Sequence, residues 1–118
     1  MSSPDLHHLK QRLRRFAAER DWEQFHSPKN LAMALVVEAA ELVEHFQWLT
    51  EAQSEQLPAD KLKAVAHELA DIQVYLVRMA DRLDIDLASA IDEKLTLNGE
   101  KYPADKVRGS ARKYTEYE

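Results

Sequence analysis

The sequence predicts an all-α fold, a four-helix bundle-like subunit, from three observations. The 118 residues contain only two glycines and four prolines and are rich in Ala, Leu, Glu and Lys, which favour helices. No segment shows a strand pattern strong enough to compete with that tendency. Two long apolar stretches, residues 31–48 and 62–79, each carry a pair of acidic side chains three residues apart. The length fits one domain with a modest core.

The first predicted helix begins near the segment Ser2-Ser3-Pro4-Asp5, which supplies a cap and a first turn, and runs to about Arg20. Its apolar residues recur at helical spacing: Leu6, Leu9, Leu13, Phe16 and Ala17. Its basic residues lie mostly on the other side, and we expect them to face solvent: Lys10, Arg12, Arg14 and Arg15.

Bulky residues fill the connection that follows, residues 21–30. Trp22, Phe25 and His26 stand just before Ser27 and Pro28, which favour a helix start because Ser caps well and Pro suits the first helical position. Trp22 and Phe25 either staple this connection onto the core or, with His26, line a ligand pocket. The residue types alone leave both interpretations open.

The second predicted helix extends to Trp48, and between residues 31 and 43 only Glu38 and Glu41 are polar. A helix that is apolar on every side is expected to be buried. A buried carboxylate costs free energy unless it is paired or binds a metal. The spacing places both acids on one face, where a cation would offset their repulsion.

The third predicted helix, residues 61 to about 83, repeats this pattern with Glu68 and Asp71. In an antiparallel hairpin the two pairs would place four carboxylates around one cavity. An all-oxygen site without cysteine favours a hard ion, Mg²⁺ first and Mn²⁺ second. Tyr75 follows on the same face and either closes a pocket above the metal or fills the bundle. Residues 49–60, between the helices, are predicted to form a loop or short helix that ends at Pro58.

The fourth predicted helix runs from about Leu87 to Gly99 or Tyr102. Polar residues near its end are either ordinary partners of the helix dipole or contacts for a phosphate chain: Lys94, Asn98, Lys101 and Tyr102. We divide the chain into a helical domain, residues 1–103, and a polar tail, residues 104–118, ordered only by a ligand or a neighbouring subunit. In the tail, Arg108, Arg112 and Lys113 are expected over a bound phosphate.

Composition excludes several classes of protein. The formal net charge of −5 argues against non-specific nucleic-acid binding. No hydrophobic run approaches the ~20 residues of a membrane span, and the N-terminus lacks the apolar core of a signal peptide. The absence of cysteine excludes disulfides and thiolate metal sites. We therefore expect a soluble, cytoplasmic protein that binds neither nucleic acid nor a membrane.

Several motifs resemble a known family, the all-α nucleoside triphosphate pyrophosphohydrolases of the MazG type. The motifs shared with the whole family are EAAEL at residues 38–42, ELAD at residues 68–71 and KYP at residues 101–103. Further segments are more closely similar to the dCTP pyrophosphatase branch: FAAERDWEQFH at residues 16–26, NLAMAL at 30–35, FQW at 46–48, VYLV at 74–77 and RKYTE at 112–116. The resemblance extends from about Leu13 to Glu116.

The resemblance implies a Mg²⁺-dependent enzyme that cleaves a nucleoside triphosphate between the α and β phosphates, releasing the monophosphate and pyrophosphate. The metal ligands it implies are Glu38, Glu41, Glu68 and Asp71. The residues it implies around the base and sugar are Trp22, His26, Trp48 and Tyr75, and those near the phosphates are Lys94, Asn98, Lys101 and Tyr102. Leu13 stands where the eukaryotic enzymes carry a His that contacts substrate, so the resemblance does not fix the preferred base.

Chemistry and packing add two expectations. A carboxylate that is not fully used as a ligand can accept a proton from the attacking water, and we favour Glu41 for this role. Helices that are apolar on more than one face cannot all be covered in one small subunit, so we expect a homo-oligomer. Similar family members form dimers and tetramers, and we expect a dimer of dimers in which the tail crosses a neighbour's site.

Three alternatives compete with this interpretation. The first is a non-catalytic helical oligomer or adaptor that binds metal or nucleotide; a purely structural helical dimer or adaptor would explain the apolar helices but not the four buried acids. The second is a di-iron carboxylate bundle, but that class needs E-x-x-H in the core, and neither Glu38 nor Glu68 is followed by His at that spacing. The third is a phosphohydrolase that releases orthophosphate, which shares the metal chemistry and is excluded only by the resemblance.

Overall fold

The computed structural model describes residues 5–111, and the all-α prediction is confirmed. Within that range the chain forms helices and no strand. The helices are α1 (Leu6–Glu19), α2 (Pro28–Glu44), α3 (Glu51–Ser54), α4 (Ala59–Arg82), α5 (Leu87–Lys101) and α6 (Ala104–Val107), with a 3₁₀ turn at Glu23–Phe25. No helix in this part of the chain is long and apolar enough to cross a membrane.

Side-chain caps fix where the helices begin. Asp5 accepts a hydrogen bond from the backbone N–H of His8 at the start of α1, while residues 2–4 of the predicted cap lie outside the described range. Ser27 caps α2 with Pro28 next to it, as predicted. Thr50 begins α3 through a reciprocal capping box with Gln53, and the side chain of Asp86 caps α5. Each cap satisfies a backbone N–H that the helix itself leaves unpaired.

The chain divides into two compact units, the first ending at Ile85 and the second beginning at Asp86. In the first unit α4 packs against both α2 and α1. Its core consists of small and medium apolar side chains: Ala17, Leu31, Val65, Val77 and Ala80. The second unit contains α5 and α6, neither of which has a buried residue.

Two expectations about α2 are wrong. The helix ends at Glu44 rather than Trp48, because the next N–H groups bond three residues back, from His45 to Leu42 and from Phe46 to Val43, which tightens the turn. The helix is also not buried all round: Leu31 is its one buried residue. In the first unit α4 packs against α2, and four large apolar side chains of α2 stay more than half exposed: Met33, Val36, Val37 and Val43.

Candidate active site

Three carboxylates meet where α2 packs against α4. Glu38 and Glu41 come from one face of α2, and Glu68 comes from α4. One carboxylate oxygen of each lies within 4.8 Å of those of the other two, and all three residues are partly buried. The two acidic pairs therefore do converge across the helices, with three of the four predicted ligands in one group.

The acidic cluster, which is Glu38, Glu41 and Glu68, lacks partners for some of its atoms. Oε2 of Glu38 and Oε2 of Glu68 are buried and accept no hydrogen bond. Leaving a buried polar atom unpaired costs free energy, and more so when the group is charged. A hydrogen bond with Glu41, followed by burial and a hydrogen bond with Glu68, raises the pKa of Glu38 to about 7. A bound cation would relieve both the repulsion and the lost hydration.

Asp71, the fourth predicted ligand, lies outside this group. It is exposed on α4, three residues after Glu68, and it lines a neighbouring pocket. Its negative charge nevertheless acts on the cluster, because it contributes to the raised pKa of Glu38. As a metal ligand Asp71 stays a prediction.

The neighbouring pocket has a volume of about 120 Å³ and lies between α1, α4 and the 21–27 connection. Three of the four residues assigned by resemblance to the base and sugar line it, together with apolar and charged side chains from the two helices. The full lining is Leu13, Phe16, Ala17, Trp22, His26, Asp71, Val74, Tyr75 and Arg78. The wall is thus mostly apolar and aromatic with a few polar groups, as in sites for small organic ligands.

Aromatic contacts hold the pocket's outer wall. The ring of Trp22 lies edge-on to Phe16, with centroids 5.8 Å apart, and edge-on to His26, with centroids 6.3 Å apart. The backbone N–H of Trp22 also bonds to the carbonyl of Ala17. Trp22 therefore packs onto α1 and lines the pocket at the same time, so the two interpretations of this connection do not exclude each other.

Tyr75 joins the pocket to the acidic cluster. Burial, and then the negative charges of Glu38, Asp71 and Glu41, raise the pKa of its phenol. The hydroxyl therefore keeps its proton and can donate a hydrogen bond.

Arg78, a buried residue of α4, also lines the pocket, and the sequence analysis did not assign it to the site. Arg78 on α4 donates to His26 Nδ1 at 3.2 Å and to Asp81 Oδ2 at 3.2 Å, and it lies 3.9 Å from Glu23. Asp81 also accepts two hydrogen bonds from Arg14, so Arg14 is not simply a solvated residue as expected. The signal was present: Arg78 continues the face of Glu68, Asp71 and Tyr75 within an apolar run.

The remaining predicted site residues lie on other segments of the chain. Trp48 follows α2, is 87% exposed and does not line the pocket. The predicted phosphate contacts belong to the second unit: Lys94, Asn98 and Lys101 lie on α5, and Tyr102 caps its C-terminus. Arg108 follows α6, whereas Arg112 and Lys113 lie outside the described residues. These assignments stay predictions.

Comparison with known proteins identifies relatives over nearly the whole chain. Residues 33–117 match the MazG-like family. The chain is 45% identical to dCTP pyrophosphatase 1 of Mus musculus over 115 residues, which are 96% of this chain and 68% of the relative. It is 44% identical to dCTP pyrophosphatase 1 of Homo sapiens over the same shares. A pyrophosphatase crystal structure from Archaeoglobus fulgidus is similar, with a TM-score of 0.73 and 34% identity, covering 87% of this chain and 96% of that one.

Proposed function

We propose a substrate, a metal and a set of catalytic roles for this chain, which belongs to the MazG-like family and is a nucleoside triphosphate pyrophosphohydrolase. The substrate we propose is dCTP or a dCTP modified on its base, cleaved to the monophosphate and pyrophosphate. The reaction would remove unwanted deoxynucleotides from the nucleotide pool, and we expect it to take place in the cytoplasm.

The observation that carries this proposal is the acidic cluster beside an aromatic pocket. Two buried oxygens without partners, on Glu38 and Glu68, belong to a site that requires a cation. The adjoining pocket of about 120 Å³ has room for part of a small organic group such as a base. A nucleoside triphosphate would occupy both features, with its metal-bound phosphates at the acidic cluster and its base in the pocket.

The chemistry of the donors favours Mg²⁺, with Mn²⁺ as a substitute. All candidate ligands are carboxylates, which hard divalent ions prefer. Glu38, Glu41, Glu68 and Asp71 would hold the metal. When bound, such an ion neutralises phosphate charge and lowers the pKa of water.

The chain's own residues then bind, orient and accept a proton. Glu41 accepts the proton of the attacking water, because Glu38 and Glu68 present the two unpartnered oxygens and are the more committed ligands. Tyr75 donates from its hydroxyl at the boundary between cluster and pocket. Trp22 and His26 contact the base and sugar, with Trp48 completing that site. Lys94, Asn98, Lys101 and Tyr102 bind the phosphates.

Leu13 supports a base that carries an apolar group. It lines the pocket next to Phe16 and Ala17, which makes this side of the pocket apolar. An apolar wall favours a methyl substituent over a bare polar edge. We therefore place 5-methyl-dCTP beside dCTP as a candidate substrate.

A homo-oligomer, either a dimer or a dimer of dimers, is part of the proposal. The large apolar side chains exposed on α2 and α4 are the reason: Met33, Val36, Val37, Val43, Leu62 and Leu69 are each 54–67% exposed. Clusters of exposed apolar side chains are typical of an interface when they form a continuous patch. Light scattering coupled to size exclusion measures the assembly directly, and a monomer would contradict this part of the proposal.

The decisive experiment is an assay of the purified protein with Mg²⁺ and a panel of natural and modified nucleoside triphosphates. Chromatography resolves monophosphate, diphosphate, pyrophosphate and phosphate. We expect monophosphate and pyrophosphate in equal amounts, lost on adding a chelator, with the highest kcat/KM for dCTP or its 5-methyl form. Release of orthophosphate would assign a different bond, and no cleavage of any triphosphate would favour a binding or adaptor role.

A further inference from the structure

Neither the acidic cluster nor the packing of the core explains why a charged residue, Arg78, is buried. Its side chain is 4% exposed. Moving a guanidinium out of water costs free energy, so its contacts must compensate for that cost. Those contacts are Asp81, Glu23 and His26.

Asp81 does not need Arg78 to be satisfied. Arg14 Nε donates to Asp81 Oδ2 at 2.8 Å, and Arg14 Nη2 donates to Asp81 Oδ1 at 2.6 Å, so a fork of two bonds already covers both oxygens. Arg78 adds a longer bond of 3.2 Å to an oxygen that is in use. Apolar residues often replace buried ion pairs with no loss of stability. Stability alone therefore does not account for a guanidinium at position 78.

The bond to His26 has a specific chemical consequence. Arg78 Nε–H donates to His26 Nδ1 at 3.2 Å. Because arginine only donates, Nδ1 must be the accepting nitrogen, and the hydrogen of a neutral imidazole then sits on Nε2. Burial, and next the positive charges of Arg78 and Arg82, lower the pKa of His26 against a smaller opposing effect of Glu23. The ring is thus neutral, with one tautomer.

Both side chains line the pocket, so the consequence reaches the ligand. We propose that Arg78 is a positioning residue for substrate recognition: it fixes the tautomer of His26 so that the ring offers an N–H donor, from Nε2, to a hydrogen-bond acceptor on the nucleoside. This inference rests on the proposed function, and it adds the class of group that is recognised. A base carbonyl oxygen or an unprotonated ring nitrogen fits, and cytosine carries both; an amino group at this point does not fit.

The first test needs no substrate. Nitrogen-resolved NMR of the histidine side chains in the nucleotide-free protein reports which ring nitrogen of His26 carries hydrogen. We expect hydrogen on Nε2 in the wild type, a mixture of tautomers in Arg78→Met, and an unchanged tautomer in Arg82→Met, which removes a nearby charge without removing the bond. Hydrogen on Nδ1 in the wild type would overturn the proposal, and so would equal changes in the two variants.

The second test follows binding and turnover. We expect Arg78→Met to raise KM for dCTP by about tenfold while kcat stays within about twofold, because a binding contact is lost. His26→Gln provides an N–H donor whose position does not depend on a tautomer, and in that background Arg78→Met should raise KM by less than about threefold. An equal tenfold increase in both backgrounds, or a fall in kcat alone, would contradict a role through His26.

A third variant keeps the inference testable if Arg78→Met does not fold. Arg78→Lys keeps a positive charge beside Asp81 but lacks the planar Nε–H. We expect it to fold, to show mixed tautomers and to raise KM by about the same tenfold; wild-type tautomer and KM would overturn the proposal. Failure of the wild type to cleave any triphosphate would instead contradict the proposed function, because the NMR result does not depend on turnover.

Discussion

Two charged groups lie a few helical turns apart in the first unit, and they are satisfied to very different degrees. The acidic cluster has three carboxylates close together, no positive partner among them, and two buried oxygens that accept nothing. The arginine network, which is Arg14, Arg78 and Asp81, has a carboxylate that is 6% exposed and accepts hydrogen bonds on both oxygens. Together with Glu23, which lies 3.9 Å from Arg78, the chain supplies two carboxylates for these two guanidinium groups.

This difference separates a binding site from a framework. Folding alone leaves two carboxylate oxygens of the acidic cluster without partners, which a bound cation would supply. The network needs nothing from outside and therefore fixes positions, including that of His26. Variants in the cluster should remove activity while sparing the fold, whereas variants in the network should chiefly lower stability and, at Arg78, raise KM through His26.

The largest effect is expected for Glu38→Gln. Removing a ligand charge from the cluster should lower kcat with Mg²⁺ by at least about a thousandfold, while circular dichroism shows the same helix content. Glu44→Gln is the matched control, since Glu44 is exposed near the end of the same helix. Activity near that of the wild type in Glu38→Gln would remove the acidic cluster from the mechanism.

Asp71→Asn tests the predicted ligand that stands apart from the group of three. We expect turnover to fall by about a hundredfold or more, because the carboxylate faces the pocket beside the cluster and would complete the metal site. Kinetics across a range of Mg²⁺ concentrations distinguishes a ligand, whose loss raises the Mg²⁺ requirement, from a group that contacts only the nucleotide. Normal activity would leave a site of three carboxylates.

Asp81→Asn should act on stability instead. The change removes the nearer charged partner of buried Arg78 and leaves only Glu23, at 3.9 Å, and breaking such a pair lowers the free energy of unfolding by about 3 kcal/mol. Urea unfolding measures this loss, and Asp60→Asn, an exposed position on the same helix, should cost less than about 1 kcal/mol. Unchanged stability in Asp81→Asn would mean that the network is not a framework.

The acidic cluster could be predicted from the sequence, whereas the arginine network could not. The four long helices, the Ser27 cap and the convergence of Glu38, Glu41 and Glu68 follow from periodicity and spacing, because these depend on local geometry. The pairing of Arg14 with Asp81 spans 67 residues and depends on how α1 is rotated on α4, which no local pattern fixes. The exposure of α2 could not be predicted from a local pattern either, because it depends on how many neighbours cover the helix.

The dependence of stability on pH should isolate the contribution of the acidic cluster. The pKa of Glu38 is about 7 when folded and 4.5 ordinarily, so the folded state holds the proton more tightly. The stability due to the protonated form is fully present below about pH 4.5 and is lost as the pH rises to about 7. His26, whose pKa is lowered, acts in the opposite sense: its stability is lost as the pH falls below about 6.5, and this effect is common to the wild type and Glu38→Gln.

The difference in Tm between the wild type and Glu38→Gln, measured with a chelator, therefore reports the proton held by the acidic cluster. We expect the wild type to lose roughly 5 °C relative to the variant between about pH 5 and about pH 8. Mg²⁺ at the higher pH should restore the wild type and leave the variant nearly unchanged. A constant difference across this range would show that the folded protein does not hold an extra proton in the cluster.

The smallest effects should come from the two tryptophans, whose positions differ as the two charged groups do. Trp22 contacts Phe16 and lines the pocket, so Trp22→Ala should raise KM and also lower Tm, because packing is lost. Trp48 is 87% exposed, so Trp48→Ala should leave Tm within about 1 °C. We expect Trp48→Ala to change KM or base preference by about threefold. Because folding is unchanged, such a change would report a contact of Trp48 with the nucleotide or with a second subunit. A dependence of that change on protein concentration would assign the contact to the second subunit, and unchanged kinetics with every base would take Trp48 out of the site.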